Sequence, residues 1–248
     1  MSPITRKSAN NINSPISGLD VSSLSEDLKL VVSLITAHFD NAMREKDEKI
    51  ERLEASLCTM KEKVVSLENK IDDNSQYERR DTLVISGKSI PTAQPNENCN
   101  IIVRNLIKEQ TRLILKEEDI SIAHRLGRRP DSSQQDRRSI IFKLCRRDLK
   151  RDIRDACKQH KPNFFVNEHL TPTRGTIMFV LRKAKQQNPD KIGVARSQEG
   201  NVTVLVPADG DAGRSRRVSC NTRASLDQLL REQLNVSSDK FVKNWPNY

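Results

Sequence analysis

The chain has 248 residues, of which 31% are charged, 35% hydrophobic and only 4% aromatic. This composition is too polar for one large hydrophobic core, and it predicts one or two small domains beside elongated or disordered segments. The net charge of +10 is concentrated in residues 76–248, which hold 33 Lys and Arg against 20 Asp and Glu, whereas residues 1–75 hold 10 against 13. A basic module of this kind indicates a polyanionic partner.

The sequence also indicates the cellular compartment, the state of the cysteines and whether the protein is an enzyme. No apolar stretch approaches the roughly 20 residues of a membrane span, and the first residues lack a signal peptide's apolar segment, so we expect an intracellular protein, cytoplasmic or nuclear, without a membrane partner. Five cysteines without a C-x-x-C pair predict free thiols rather than disulfides or a zinc site. The H-E-x-x-H, phosphate-loop and G-x-S-x-G motifs are missing, so we expect no metal, no cofactor and no enzyme.

Two segments precede the predicted folded domains. Residues 1–22, rich in Ser, Asn and Pro, are predicted to be a disordered tail. Residues 23–76 are predicted to form a coiled-coil helix, because apolar residues alternate there at spacings of three and four. The predicted seam, which would mediate oligomerisation, consists of Ile50, Leu53, Leu57, Met60, Val64, Leu67 and Ile71.

Charged residues beside the seam predict its orientation. Lys49 precedes Glu54, and Lys63 precedes Glu68, at positions where opposite charges favour parallel helices in register. We therefore expect the chain to associate with itself through a parallel coiled coil, as a dimer or a trimer. The mixture of Ile, Leu and Val at the a positions favours a dimer. The alternative is an amphipathic helix that folds back on its own domain.

Residues 77–168 are predicted to form a compact α+β domain. Its predicted strands are TLVIS, DISIAHRL, RSIIFKL and NFFVN, with one helix after the first strand and another after the third. This β-α-β-β-α-β order is the ferredoxin-like arrangement of RNA-recognition motifs (RRMs). Phe142, Phe164 and Phe165 are expected in the core, so the predicted sheet lacks aromatics for stacking bases. Binding through the phosphate backbone is therefore favoured over base reading.

The connection between the second and third predicted strands is strongly basic. It carries Arg125, Arg128, Arg129, Arg137 and Arg138 against two aspartates. The planar guanidinium group suits phosphate oxygens, so these five arginines are predicted to contact nucleic acid. The alternative is a loop that only increases solubility.

Residues 169–236 are predicted to form a small C-terminal α+β domain that also binds nucleic acid. A helix is expected to begin at Thr171-Pro172, because threonine is a good cap and proline suits the first helical position. A hairpin, a loop at DGDAGRSRR and a final helix follow, and residues 237–248 are expected to be a flexible tail. The predicted binding residues of this domain are Arg174, Arg182, Lys183, Lys185 and Arg196.

Several motifs, taken together, resemble a known family. They are the heptad stem followed by YERRDTLVISG, AHRLGRRP, RSIIFKL, FFVNEHLTPTRGTIMFVLRKAK and EGNVTVLV. The series is similar to the first open-reading-frame protein of LINE-type retrotransposons and to the related baculovirus few-polyhedra (FP) protein with its C-terminal domain. The resemblance implies a trimeric nucleic-acid chaperone that coats the element's own RNA. By position, it implies RNA contacts at Arg125, Arg128, Arg129, Arg138, Arg174, Arg182 and Lys183.

Two functional hypotheses follow. The first is a non-enzymatic, oligomeric protein that binds RNA or single-stranded DNA in a retrotransposon ribonucleoprotein. The alternative is a structural or trafficking adaptor similar to the FP protein, in which the stem binds protein partners. The salt dependence of nucleic-acid binding distinguishes the two, because only the first predicts a strong one.

Overall fold

The computed structural model describes residues 25–128, 136–207 and 215–246. It contains helices and antiparallel sheets and begins with a long helix, in agreement with the predicted α+β class. The chain divides into two compact units, residues 1–66 and residues 67–248. The tail predicted at residues 1–22 lies outside the described residues.

The long helix is α1 (Glu26–Glu78), which has 53 residues. It begins with Glu26 and Asp27, whose negative charges suit the positive end of the helix dipole. All seven predicted seam residues, from Ile50 to Ile71, have exposed fractions between 39% and 59%. The predicted apolar stripe is therefore exposed in the single chain.

A four-stranded sheet follows α1. The elements are β1 (Thr82–Gly87), α2 (Cys99–Thr111), β2 (Ile120–Arg125), β3 (Ile140–Leu144), α3 (Leu149–His160) and β4 (Phe164–Glu168). The strands lie in the order β2-β3-β1-β4, and each neighbouring pair is antiparallel. The predicted alternation of strands and helices over residues 77–168 is present.

The core of this first domain lies on one face of the sheet. Leu83 pairs with Phe142 and Ile85 pairs with Ile140 across β1 and β3, and none of the four is more than 2% exposed. They pack with buried residues of both helices, among them Val103, Ile107 and Ile153. Because neighbouring residues of a strand point to opposite faces, the intervening residues lie on the face that α2 and α3 leave uncovered.

The second domain contains α4 (Pro172–Gln187), β5 (Ala195–Gln198), β6 (Asn201–Val206), β7 (Arg216–Ser219) and α5 (Arg223–Leu234). The strands form an antiparallel sheet in the order β5-β6-β7. The Thr171 hydroxyl accepts a hydrogen bond from the Arg174 N–H and caps α4, as predicted. The loop predicted at DGDAGRSRR ends with Arg216 and Arg217, which instead form the first half of β7.

The C-terminal segment differs from the flexible tail expected at residues 237–248. Ser238–Lys240 form a short 3₁₀ helix, and Phe241, Val242 and Trp245 pack against the core of the second domain. The Arg223 guanidinium lies 5.1 Å from the centre of the Trp245 ring. The boundary of the second domain therefore moves to residue 246, while residues 247–248 lie outside the described part of the chain.

Candidate nucleic-acid interface

Arg125, predicted to contact phosphate, forms a buried ion pair instead. Its Nε and Nη2 atoms lie 2.7 and 2.8 Å from the two carboxylate oxygens of Glu97, and its side chain is 5% exposed. The guanidinium also donates to the carbonyl oxygens of Arg138 and Pro91. The hydrogen bond from Arg125 holds the pKa of Glu97 below its ordinary value. Arg125 is thus a structural residue, and the prediction that it binds nucleic acid is corrected.

The other arginines of the basic connection have different environments. Arg138 forms a bidentate pair with Asp136, at 2.8 and 2.9 Å, and donates to the Gly127 carbonyl oxygen. This pair fastens the end of the connection to β3, so Arg138 is mainly structural. Arg137 is exposed and donates to the Lys88 carbonyl oxygen, and Arg128 is also exposed. The remaining predicted residue, Arg129, lies outside the described residues.

Arg174 is the second predicted phosphate contact that is buried. Its side chain is 4% exposed and forms ion pairs with Asp72, at 2.7 Å, and with Asp73. It also donates to the Gly200 carbonyl oxygen at 3.1 Å. Its prediction as a nucleic-acid contact is corrected, because these partners use its guanidinium to join the end of α1 to the β5–β6 turn.

The end of α1 makes further contacts in the same region. The Gln76 side chain donates to the His169 carbonyl oxygen at 3.1 Å and accepts from the Thr171 N–H at 2.9 Å. Gly200 has a φ of +79°, and a Cβ atom there would lie 2.5 Å from the Gln76 side chain. A glycine is therefore required at this turn, both for its backbone conformation and for the close approach of Gln76.

Glu168 at the end of β4 connects the two sheets. Its buried carboxylate lies 2.9 Å from the Lys150 ammonium and 2.8 Å from the Arg154 guanidinium. It also accepts hydrogen bonds from the backbone N–H groups of Glu199 and Gly200. Burial alone would raise the pKa of Glu168, but the hydrogen bonds from Lys150 and Gly200 outweigh it and hold the pKa below its ordinary value.

This pKa shift predicts an acid-sensitive contribution to stability. Because the folded state lowers the Glu168 pKa, its contribution is complete above the unfolded pKa of about 4.3 and is lost as pH falls through the folded value. Glu168→Gln should lower the free energy of unfolding by about 1–3 kcal/mol at neutral pH, since it weakens buried hydrogen bonds. Urea denaturation should show this difference shrinking at acidic pH. A difference that is the same at both pH values would contradict the assignment.

A basic cleft lies between the two sheets, beside Glu168. Its volume is about 330 Å³, and residues of α3 and β4 line one side while residues of α4, β5, β6 and β7 line the other. Its cationic residues, apart from Lys150, are Arg154, Lys158, Arg182, Arg196 and Arg217. Glu168 is the one carboxylate among the described lining residues, and it is already paired with Lys150 and Arg154. The basic cleft therefore has excess positive charge.

Three arginines carry this excess. Arg182, Arg196 and Arg217 are exposed, and none forms an ion pair with a residue in the described ranges. They come from α4, β5 and β7, so the fold brings together residues that are separated along the chain. Guanidinium groups without carboxylate partners suit phosphate oxygens, which they can bind with two parallel hydrogen bonds.

The predicted residues are thus only partly brought together. Arg182 and Arg196 line the basic cleft, whereas Lys183, which lies 4.6 Å from the centre of the Phe179 ring, and Lys185 do not. Sequence reasoning missed Arg217 because its strand was predicted as a loop. Arg154 and Lys158 were not among the predicted binding residues, and their helix also carries aspartates. The sequence feature that could have indicated these two residues is the charge of residues 143–161, which hold eight Lys and Arg against three Asp.

Within residues 25–128, 136–207 and 215–246, no group of three or more His, Cys, Asp or Glu could hold a metal ion. None of the described helices combines the length and apolar character needed to cross a membrane.

Phe165, which was expected in the core, is 70% exposed, whereas Phe142 and Phe164 are buried as predicted.

No family model matches the sequence, and no curated protein matches it. The resemblance to the retrotransposon and FP proteins rests on the quoted motifs and stays a prediction.

Proposed function

We propose that the protein is a non-enzymatic, oligomeric binding protein and chaperone for RNA or single-stranded DNA in a retrotransposon ribonucleoprotein. The observation that carries this proposal is the basic cleft, where Arg182, Arg196 and Arg217 lack carboxylate partners among the described residues. Neutralising phosphates releases counterions from the nucleic acid, and this release drives binding without regard to sequence. The cleft would therefore hold the phosphate backbone.

The arrangement of the first sheet supports an RRM-like domain. The antiparallel order β2-β3-β1-β4, with both helices on one face, is that of the ferredoxin-like fold. In this proposal, residues 77–168 form the RRM-like domain and the second domain supplies the opposite wall of the cleft. The basic connection between β2 and β3 contributes through Arg128 and Arg137, which are exposed.

Self-association is the second part of the proposal. A helix with a continuous exposed stripe from Ile50 to Ile71 gains stability by burying that stripe against other helices. A parallel dimer or trimer of α1 would do so and would link several basic domains in one assembly. One nucleic acid could then contact several clefts at once.

The cleft can be tested by neutralising its three arginines. We expect Arg182→Gln, Arg196→Gln and Arg217→Gln, combined in one variant, to weaken binding of a single-stranded oligonucleotide and to flatten its salt dependence. Each phosphate contact on a single strand contributes about 0.7 to the magnitude of the log–log salt slope. Losing three contacts should therefore reduce that magnitude by about 2. Fluorescence anisotropy across a salt series measures both quantities.

A matched variant controls for total charge. Lys108→Gln, Arg231→Gln and Lys243→Gln remove the same charge from exposed positions outside the cleft. This control should keep most of the affinity and of the salt slope. Equal losses in the two triple variants would show that net charge, rather than the cleft, determines binding.

One observation favours the adaptor as a second candidate. Leu30, Val31 and Leu34 lie outside the heptad seam, yet their exposed fractions are 61%, 49% and 61%. Apolar residues beyond the seam indicate a further protein contact on this part of α1. The adaptor hypothesis therefore predicts that α1 binds partners independently of nucleic acid.

A further inference from the structure

Phe165 lies on the face of the first sheet that α2 and α3 leave uncovered. It pairs with Ser86 across β4 and β1, and its neighbour Phe164 points to the opposite face, where it is 3% exposed. Phe165 itself is 70% exposed. The sheet therefore presents a phenyl ring to solvent on its edge strand.

Two exposed cations lie near the end of β1, the strand that pairs with the strand of Phe165. Lys88 is exposed and follows Ser86 by two residues, and Gly87 between them pairs with Phe164. Arg137 is exposed, and its guanidinium donates to the Lys88 carbonyl oxygen at 3.3 Å. Neither cation forms an ion pair with a carboxylate in the described part of the chain. The strand beside the exposed ring thus ends near positive charge that has no carboxylate partner among the described residues.

Strand β4 also connects this ring to the basic cleft. Val166, Asn167 and Glu168, the three residues after Phe165, line the cleft. Asn167 lies two residues after Phe165 on the same face of β4, so the cleft and the ring share this edge strand. A single exposed apolar residue is ordinary on a protein surface, so exposure alone assigns nothing to Phe165. The ring, the two cations and the adjacent cleft together match an aromatic platform for single-stranded nucleic acid.

We propose that Phe165 stacks on an unpaired base while Lys88 and Arg137 contact the flanking phosphates. This proposal rests on the proposed function and adds a base contact to it. Stacking tolerates any sequence, because every base has a π-face, so the contact would distinguish single strands from duplexes without reading sequence. An acidic or apolar protein segment is the competing occupant, and the test excludes it by comparing strands with and without bases.

The test uses the full chain and two labelled single strands of equal length, one of thymidines and one of abasic sites. Phe165→Leu should lower affinity for the thymidine strand by about 5- to 100-fold, the range expected for one lost stacking contact. Affinity for the abasic strand, which has the phosphates alone, should be unchanged. Phe165→Trp should retain thymidine-strand binding, because it preserves an aromatic face.

Ile114→Ala is a matched control, because Ile114 is also 70% exposed but lies outside this surface. It should leave both affinities unchanged. Unaltered thymidine-strand binding by Phe165→Leu would overturn the stacking site while leaving the basic cleft standing. Equal losses on both strands would also overturn it, since the ring would then act without a base. If the intact protein binds neither strand, the proposed function fails, and the stacking site fails with it.

Discussion

Replacing Arg174 with methionine should lower the free energy of unfolding by about 3–5 kcal/mol, the usual cost of breaking a buried ion pair by removing one partner. The variant removes the charge that compensates the buried Asp72 carboxylate, together with the hydrogen bond to the Gly200 carbonyl oxygen. Methionine retains much of the side-chain volume, so packing changes little. Urea denaturation of the full chain, followed by circular dichroism, measures the effect.

Arg182→Met is the matched control on the same helix. Arg182 is exposed and has no ion-pair partner among the described residues, so its replacement should change stability by no more than about 0.5 kcal/mol. Conversely, Arg182→Met should weaken nucleic-acid binding. Equal urea midpoints for the two variants would contradict the structural role of Arg174.

The contacts between Arg174 and the end of α1 also show where the stem ends and the folded domains begin. A boundary after residue 76 follows from the end of the heptad pattern, but it separates Asp72, Asp73 and Gln76 from their partners in the second domain. The compact unit begins at Leu67 instead. A fragment that is to keep the basic cleft intact should therefore start at or before residue 67.

If α1 forms the proposed coiled coil, changing Leu57 and Val64 together to aspartate should convert the oligomer into monomers. Both residues lie in the predicted seam, so each helix would bury two charges without partners. Nucleic-acid affinity should fall as well, because linking several basic domains raises avidity by about 10²–10⁴ without any new contact. Sedimentation gives the mass, and anisotropy with a long RNA gives the affinity.

The control variant shifts the same charges by one residue. Cys58→Asp with Val65→Asp places two carboxylates beside the seam, at positions that a parallel coil leaves in water. This variant should remain oligomeric and bind long RNA normally. If the seam variant becomes monomeric yet binds long RNA as tightly as the intact protein, the stem does not act through avidity, and the adaptor hypothesis becomes the better one.

Local patterns made much of the fold predictable. The seam from Ile50 to Ile71 repeats every three or four residues, and β1 and β3 are short apolar runs, so each is visible within a few positions. The short strand β7 and the packed Trp245 have no such pattern. Their placement depends on partners elsewhere in the chain, which a local window does not contain.

The candidate site was less predictable because it depends on which charges pair. Arg174 and Arg182 occupy the same basic helix, yet one is buried against Asp72 and the other lines the cleft. Arg125 likewise pairs with Glu97, a residue 28 positions away. Sequence shows where positive charge is abundant, but the folded structure determines which cations are already neutralised.

We expect the basic cleft to bind single-stranded nucleic acid mainly through phosphates. The most direct test of this expectation is the affinity of the intact protein for two oligonucleotides of equal length and unrelated sequence, measured over a series of salt concentrations. We expect similar affinities for the two sequences and a log–log salt slope of about −2 or steeper, since −2 is the value for three phosphates bound by Arg182, Arg196 and Arg217. A flat salt response, or tight binding of one sequence alone, would contradict this expectation.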